Sequence, residues 1–197
     1  MTERHASRRI VLRNDIPDAQ IWDFAERQGW SYLGHVPRDP ERGVFYEARW
    51  ETSQGNTVHF IIDEFADSLY MVAQHQSEAE ADRIADTIQD SLPSYSVPQL
   101  AEEFDINMYP AGWAAWLLRL GVGAPKRPDD TVTSRIRDSI GHKKPAVRRA
   151  AVWAIRYTAW PELKSYLEHM RSDEQDPAVL AEIEEAIRVF NEVGDSQ

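Results

Sequence analysis

Two groups of residues in this chain have the types and spacing to do chemistry. The first lies in Val44 to Thr52 and Thr57 to Asp63, where apolar and polar residues alternate with the period of a half-buried strand. That alternation puts Glu47, Arg49, Glu51, His59, Ile61 and Asp63 on one outward face. A three-residue loop, Gln54-Gly55-Asn56, sets Glu51 opposite His59 and Glu47 opposite Asp63. Facing carboxylates of this kind can perturb one another or share a cation. The second group is the run Arg135, Arg137, Lys143, Lys144, Arg148, Arg149 and Arg156, opposed along the chain only by Asp138. It carries a local charge of +6 in a chain whose net charge is −11. Helical spacing brings Arg148, Arg149 and Arg156 near one edge beside Trp153, a place where an anionic protein segment or a phosphate backbone could dock.

Much other chemistry has no residues to run on. With no cysteine, disulfides, Cys-ligated zinc, iron–sulfur clusters and thiol nucleophiles are excluded. The 6 histidines are scattered and include no H-E-x-x-H pair. Nucleotide-binding glycine loops and the G-x-S-x-G nucleophile turn are missing as well. No catalytic residue, bound metal or cofactor is therefore expected.

Composition sets the class. A chain of 197 residues with 42% hydrophobic content and 7 Trp can bury a real core. Its acidic balance repels nucleic acid and anionic membrane over the surface as a whole. The charged N-terminus lacks the apolar stretch of a secretory signal, which points to the cytoplasm. Ala111 to Leu120 is apolar all round, but it is half the ~20 residues of a membrane span and contains Arg119, so it reads as a buried helix.

The elements that must position these groups are legible from period and punctuation. Ile10 to Leu12 reads as a strand, and Pro17 opens a helix with Ile21, Phe24, Ala25 and Gln28 on one face before Gly29 stops it. Trp30 to Val36 is the next strand, followed by a loop marked by Pro37, Asp39, Pro40 and Gly43. In the hairpin, the three-residue loop pairs Trp50 with Phe60, whereas a two-residue loop pairs Trp50 with His59 and turns apolar residues toward water. Leu69 to Gln74 completes the strands, with a further one possible at Tyr95 to Val97. Ser77 and Glu80 have capping-box spacing ahead of a helix whose stripe is Ala81, Ile84, Ala85, Ile88 and Leu92. The expected fold is an α+β N-terminal domain, an antiparallel sheet with two helices on one face, followed by an α-helical repeat domain. The boundaries read as 1–108 for the α+β domain, 109–128 for the apolar helix and linker, and 129–197 for the repeats.

The repeat is the strongest internal signal. Pro145-Ala146-Val147 recurs as Pro177-Ala178-Val179, and Ala154-Ile155-Arg156 recurs at the same offset as Ala186-Ile187-Arg188. Each unit reads as two helices, Thr131 to Ile140 with Pro145 to Tyr157, then Pro161 to Met170 with Pro177 to Val193. At Pro145-Ala146-Val147-Arg148-Arg149-Ala150-Ala151 the chain resembles the HEAT-repeat family, in particular its short bacterial, phycobilisome-lyase-like type. The resemblance covers the C-terminal third and implies stacked antiparallel helix pairs, an adaptor role and a structural bridge made by Arg148. Leu180 stands where the second unit would carry that arginine. Glu168-His169 has the reverse order of the His-Glu pairs in HEAT-type metal hydroxylases, in a single copy. Two units are fewer than such an array needs, so the helix at Ala111 to Leu120 or the first domain must cap it.

These readings converge on a non-catalytic adaptor or regulatory protein that holds a protein partner through Lys143, Lys144, Arg149, Trp153 and Arg156. One alternative is a nucleic-acid-associated protein using the basic run 135–156, against which the net charge weighs. Another is a lyase-type cofactor-handling enzyme, with Trp113, Trp116, Trp153 and Trp160 lining a helical groove.

Overall fold

The structure is a computed structural model that describes residues 4–39, 45–53 and 55–194. Pro40, Gly43, Val44 and Gln54, assigned above to a loop, a strand start and a turn, lie outside those residues. The chain divides into two compact units, Met1–Ser96 and Val97–Gln197. This division falls earlier than position 108, because a helix follows directly on Ser96 and packs with the helices after it.

In the first unit the described strands form one antiparallel sheet. They are β1 (His5–Ala6), β2 (Ile10–Leu12), β3 (Ser31–Val36), β4 (Tyr46–Ser53), β5 (Asn56–Asp63) and β6 (Ser68–His75). The sheet runs β6, β5, β4, β3 from one side, and both β1 and β2 pair with β6. The two short strands are one edge strand interrupted at Ser7, whose amide donates to the Ala73 carbonyl at 2.8 Å while its Oγ accepts from the Ala73 amide at 2.9 Å. Tyr95 to Val97 forms no strand; the bridge nearby, Leu12 opposite Ser94, lies just before it.

Helices α1 (Asp18–Arg27) and α2 (Glu78–Ser91) cover one face. Ile21, Phe24 and Ala25 of α1 and Ala81, Ala85 and Ile88 of α2 meet Trp50, Val58, Phe60 and Met71 in one core. Burying each large apolar side chain contributes about 1.5–3 kcal/mol before entropy is counted, so this face holds the unit together. Gly29 ends α1 at φ +70°, a conformation that costs a residue with a Cβ. The capping box of α2 is half made. Ser77 Oγ accepts from the Glu80 amide at 3.4 Å, but the Glu80 carboxylate bonds Arg83, and the Ser77 amide donates to His75 Nδ1.

The hairpin register differs from the expected one. Trp50 lies opposite Val58 and Ala48 opposite Phe60, with Ser53 opposite Asn56 across a two-residue turn and an irregularity between Glu51 and Ser53. Thr52 is the extra residue, and it restores the parity that a two-residue turn alone would have broken. Ala48, Trp50, Val58 and Phe60 therefore still face the core. On the outward face, however, Glu47 meets Ile61, Arg49 meets His59 and Glu51 meets Thr57, so neither expected polar pair forms.

The second unit is helical over α3 (Val97–Ile106), α4 (Pro110–Val122), α5 (Asp130–Ile140), α6 (Pro145–Thr158), α7 (Lys164–Asp173) and α8 (Pro177–Gly194). Helix α3, with Leu100, Ala101 and Phe104 buried, was not anticipated. Pro110, Pro145 and Pro177 each open the second helix of a pair, at the position where a missing N–H costs nothing. Helix α4 packs along α6, α6 packs against α8, and α3 pairs with α4, α5 with α6, and α7 with α8. Gly121, one residue past the stretch read as the buried helix, is inside α4. A Cβ there would lie 2.7 Å from the Ala154 Cα, so glycine sets how closely α4 and α6 approach. Asp129 caps α5, its carboxylate accepting the Val132 amide, and Asp176 caps α8, accepting the Ala178 and Val179 amides. A single 3-10 turn, Pro161–Leu163, precedes α7, and Trp160 beside it donates through Nε1 to the Pro125 carbonyl at 3.1 Å.

Candidate functional site

The basic run of the second unit sits on α5, the α5–α6 turn and α6. From Lys143 to Arg156 it extends about 20 Å along the helix axis. Carboxylates remote in sequence meet most of its guanidinium groups. Arg135 forms a two-bond contact with Asp105 of α3, at 3.2 Å and 2.5 Å. Arg148 does the same with Glu174, at 2.7 Å and 2.5 Å. Arg149 Nε reaches both oxygens of Glu182 on α8, at 2.8 Å and 2.9 Å. These three carboxylates cancel half of the +6 read along the chain.

These pairs are unequal. The Arg148 and Glu174 side chains are 17% and 2% exposed, so their contact is nearly dry, whereas Arg149 is 48% exposed. Arg148 also donates to the His142 carbonyl at 2.8 Å, and Glu174 accepts the Gln175 and Asp176 amides. One ion pair therefore ties the α5–α6 turn to the α7–α8 turn. Bonds from Arg148 above all, with the two backbone amides adding to them, hold the Glu174 carboxyl below its usual range. The pair forms the base of a groove of about 440 Å³ whose rim includes His142, Lys143, His169 and Asp173.

The five residues expected to bind a partner are divided by this geometry. Lys143 and Lys144 are exposed on the α5–α6 turn, where Lys144 precedes α6 without a side-chain cap. Arg149 is bonded to α8, and Arg156 stacks over the Trp153 ring at 4.1 Å from its centroid. Trp153 is half-buried on the same stretch of α6. Residues missed by sequence reasoning lie one hairpin earlier. Ile106, Met108 and Tyr109, at the α3–α4 turn, are 64%, 89% and 76% exposed. The Trp113 amide donates to the Tyr109 carbonyl, and the Trp113 ring lies 5.3 Å from His142, so the apolar turn and the cationic turn are neighbours. Three large apolar residues within four positions, interrupting a helical period, were the available signal.

On the outward sheet face His59 lies between two partners. With its proton on Nδ1 it donates to the Glu47 carboxylate, and Nε2 accepts the Thr57 hydroxyl at 2.7 Å. Carboxylate, imidazole and hydroxyl in this order can fix the imidazole's tautomer and orientation. Thr57 and His59 are alternate residues of one strand, so the bond is the contact any sheet face offers between neighbours on one side. A nucleophilic role also needs donors placed for a developing oxyanion. Among the described residues no group of three or more His, Asp or Glu side chains is arranged to hold a metal ion. No described helix is long and apolar enough to cross a membrane. No family model, curated protein or solved structure matches the chain.

Proposed function

We propose that the protein is a non-catalytic adaptor whose helical unit holds a protein partner along its turn edge. The observation that carries this reading is the exposure of Ile106, Met108 and Tyr109 beside the cationic turn His142–Lys144. Contiguous apolar side chains left in water mark interaction surfaces, and the adjacent lysines select an acidic segment bearing an apolar anchor. The helix pairs, the prolines that open their second helices and the repeated Pro-Ala-Val and Ala-Ile-Arg segments support reading the unit as a HEAT-like array. In that reading Arg148 is the internal bridge and α3–α4 is the pair that caps the array. The nucleic-acid alternative loses ground because Arg135, Arg148 and Arg149 are bonded to carboxylates.

Affinity capture from native lysate tests the proposal. A partner held by the unaltered chain should be lost on Met108→Glu with Tyr109→Glu, and on Lys143→Glu with Lys144→Glu, with helical content unchanged by circular dichroism. Retention of the partner by both variants would sink it.

A further inference from the structure

A cavity of about 280 Å³ opens in the first unit between the first turn of α1 and strands β4 and β5. Its lining is Asp18, Ile21, Trp22, Tyr46, Phe60 and Ile62. Three of these six are aromatic and one is a carboxylate, and no cationic side chain is among them. The aromatic walls are held from behind. Trp22 packs edge-on against Trp50 and Tyr32, with centroids at 5.0 Å and 4.9 Å, and Tyr46 stacks on His35, whose Nδ1 bonds the Tyr32 hydroxyl. Phe60 is 5% exposed and Trp22 is 40% exposed, so the floor is dry and one wall is open to a ligand. Asp18 and the Tyr46 ring line the same cavity, and burial first, then the Tyr32 hydroxyl and the Asp18 charge, raise the Tyr46 phenol above its usual range.

We propose that this cavity binds a small organic cation, a quaternary or methylated ammonium group, with the Trp22 and Tyr46 rings as walls, Phe60 as floor and the Asp18 carboxylate as counter-charge. The electron-rich faces of aromatic rings attract a weakly hydrated cation, and the surrounding apolar carbon accepts its methyl groups. The α1 N-terminus opposes a cation with about half a charge, and the whole charge of Asp18 at the first helical position outweighs it. Volume selects the ligand further. At the lower end of ligand cavities the site suits a head group of a few heavy atoms and not a drug-sized molecule. The net charge of −11 raises the local concentration of any such cation.

Isothermal titration of the full chain with choline, beside its neutral carbon isostere 3,3-dimethylbutan-1-ol, tests the proposal. Choline should bind at least about fivefold more tightly than the isostere, and Asp18→Asn should weaken choline about fivefold while leaving the isostere unchanged. Tyr46→Leu should weaken choline by a similar factor, and Tyr46→Phe, which keeps the ring, should not. Melting curves on each variant separate lost binding from lost folding. Equal affinity for choline and the isostere, no effect of Asp18→Asn, or no choline binding at millimolar concentrations would each overturn the assignment.

Discussion

The two units use their polar side chains in different ways. In the sheet unit cohesion comes from the apolar core between the helices and the sheet, with Arg8 beside the edge strand also bonding Asp86 and Gln89 of α2, while the outward face makes local bonds, Thr57 to His59 and His59 to Glu47. In the helical unit, ion pairs join elements distant in sequence. Arg148 reaches Glu174 26 residues on, Arg135 reaches back 30 to Asp105, and Arg149 reaches 33 to Glu182. A short helical hairpin buries too little apolar surface to fix its neighbour's position unaided, and a two-bond guanidinium–carboxylate contact adds direction as well as energy. Charge shielded between helices, as at Arg148, is therefore architectural, whereas at half-exposed Arg149 and on the sheet face it adds little.

The largest test of that contrast is Arg148→Ala. It removes the guanidinium from the Glu174 carboxylate, which is 2% exposed in the intact pair, and removing one partner of such a shielded pair costs about 3 kcal/mol. Urea denaturation should show that loss, and a loss under about 1 kcal/mol would break the comparison. The same pair carries a pH signature. Because folding lowers the Glu174 pKa, the stabilisation is fully present above the ordinary glutamate value of about 4.3. It disappears as pH falls through the depressed folded value. The stability gap between the unaltered chain and Arg148→Ala should therefore close in acid, and a gap constant down to about pH 3 would assign the loss to packing instead.

Next in size is Gly121→Ala. The new methyl would meet Ala154 backbone, which cannot swing aside as a side-chain end can, so α4 and α6 must part at a cost of about 2 kcal/mol. A neutral or stabilising result, as helix propensity alone predicts, would show that these helices are not closely packed. On the sheet face Glu47→Gln keeps the shape and removes one charged acceptor from His59. We expect a loss of about 1 kcal/mol in denaturant melts, clearly less than for Arg148. Smallest is the double change Arg149→Ala with Arg156→Ala. The Arg149 pair is half exposed and Arg156 rests on a ring face, so about 1 kcal/mol together is the ceiling, read as a shift in melting temperature.

The contrast also explains which features were legible in the sequence. Facing in a strand depends only on odd or even position, so a register wrong by two residues still put Trp50 and Phe60 inward. The bulge at Thr52 has no one-letter signature, and with it went the expected Glu51–His59 and Glu47–Asp63 pairs. The second helices announced themselves by proline, at Pro145 and Pro177 and also at Pro110. Helix α3 has Leu100, Ala101 and Phe104 at helical spacing, but its start at Val97 adjoins a stretch that reads equally well as a strand. The basic run misled most. Its counter-charges lie one helix pair away, and a count along the chain does not see Asp105, Glu174 or Glu182. Arg148 is the one cation of the run for which the resemblance implies a bond to the neighbouring helix pair, and it bonds Glu174.

The central claim, that cations of the helical unit bind its hairpins to one another, is tested most directly by a double-mutant cycle on Arg148→Ala and Glu174→Ala. Denaturant unfolding of the four proteins yields the coupling energy free of each residue's own packing. We expect a coupling of about 2 kcal/mol or more, with the double variant far more stable than the sum of the single losses implies. Additive losses, with a coupling under about 0.5 kcal/mol, would contradict the account and return Arg148 to the pool of cations available to a partner.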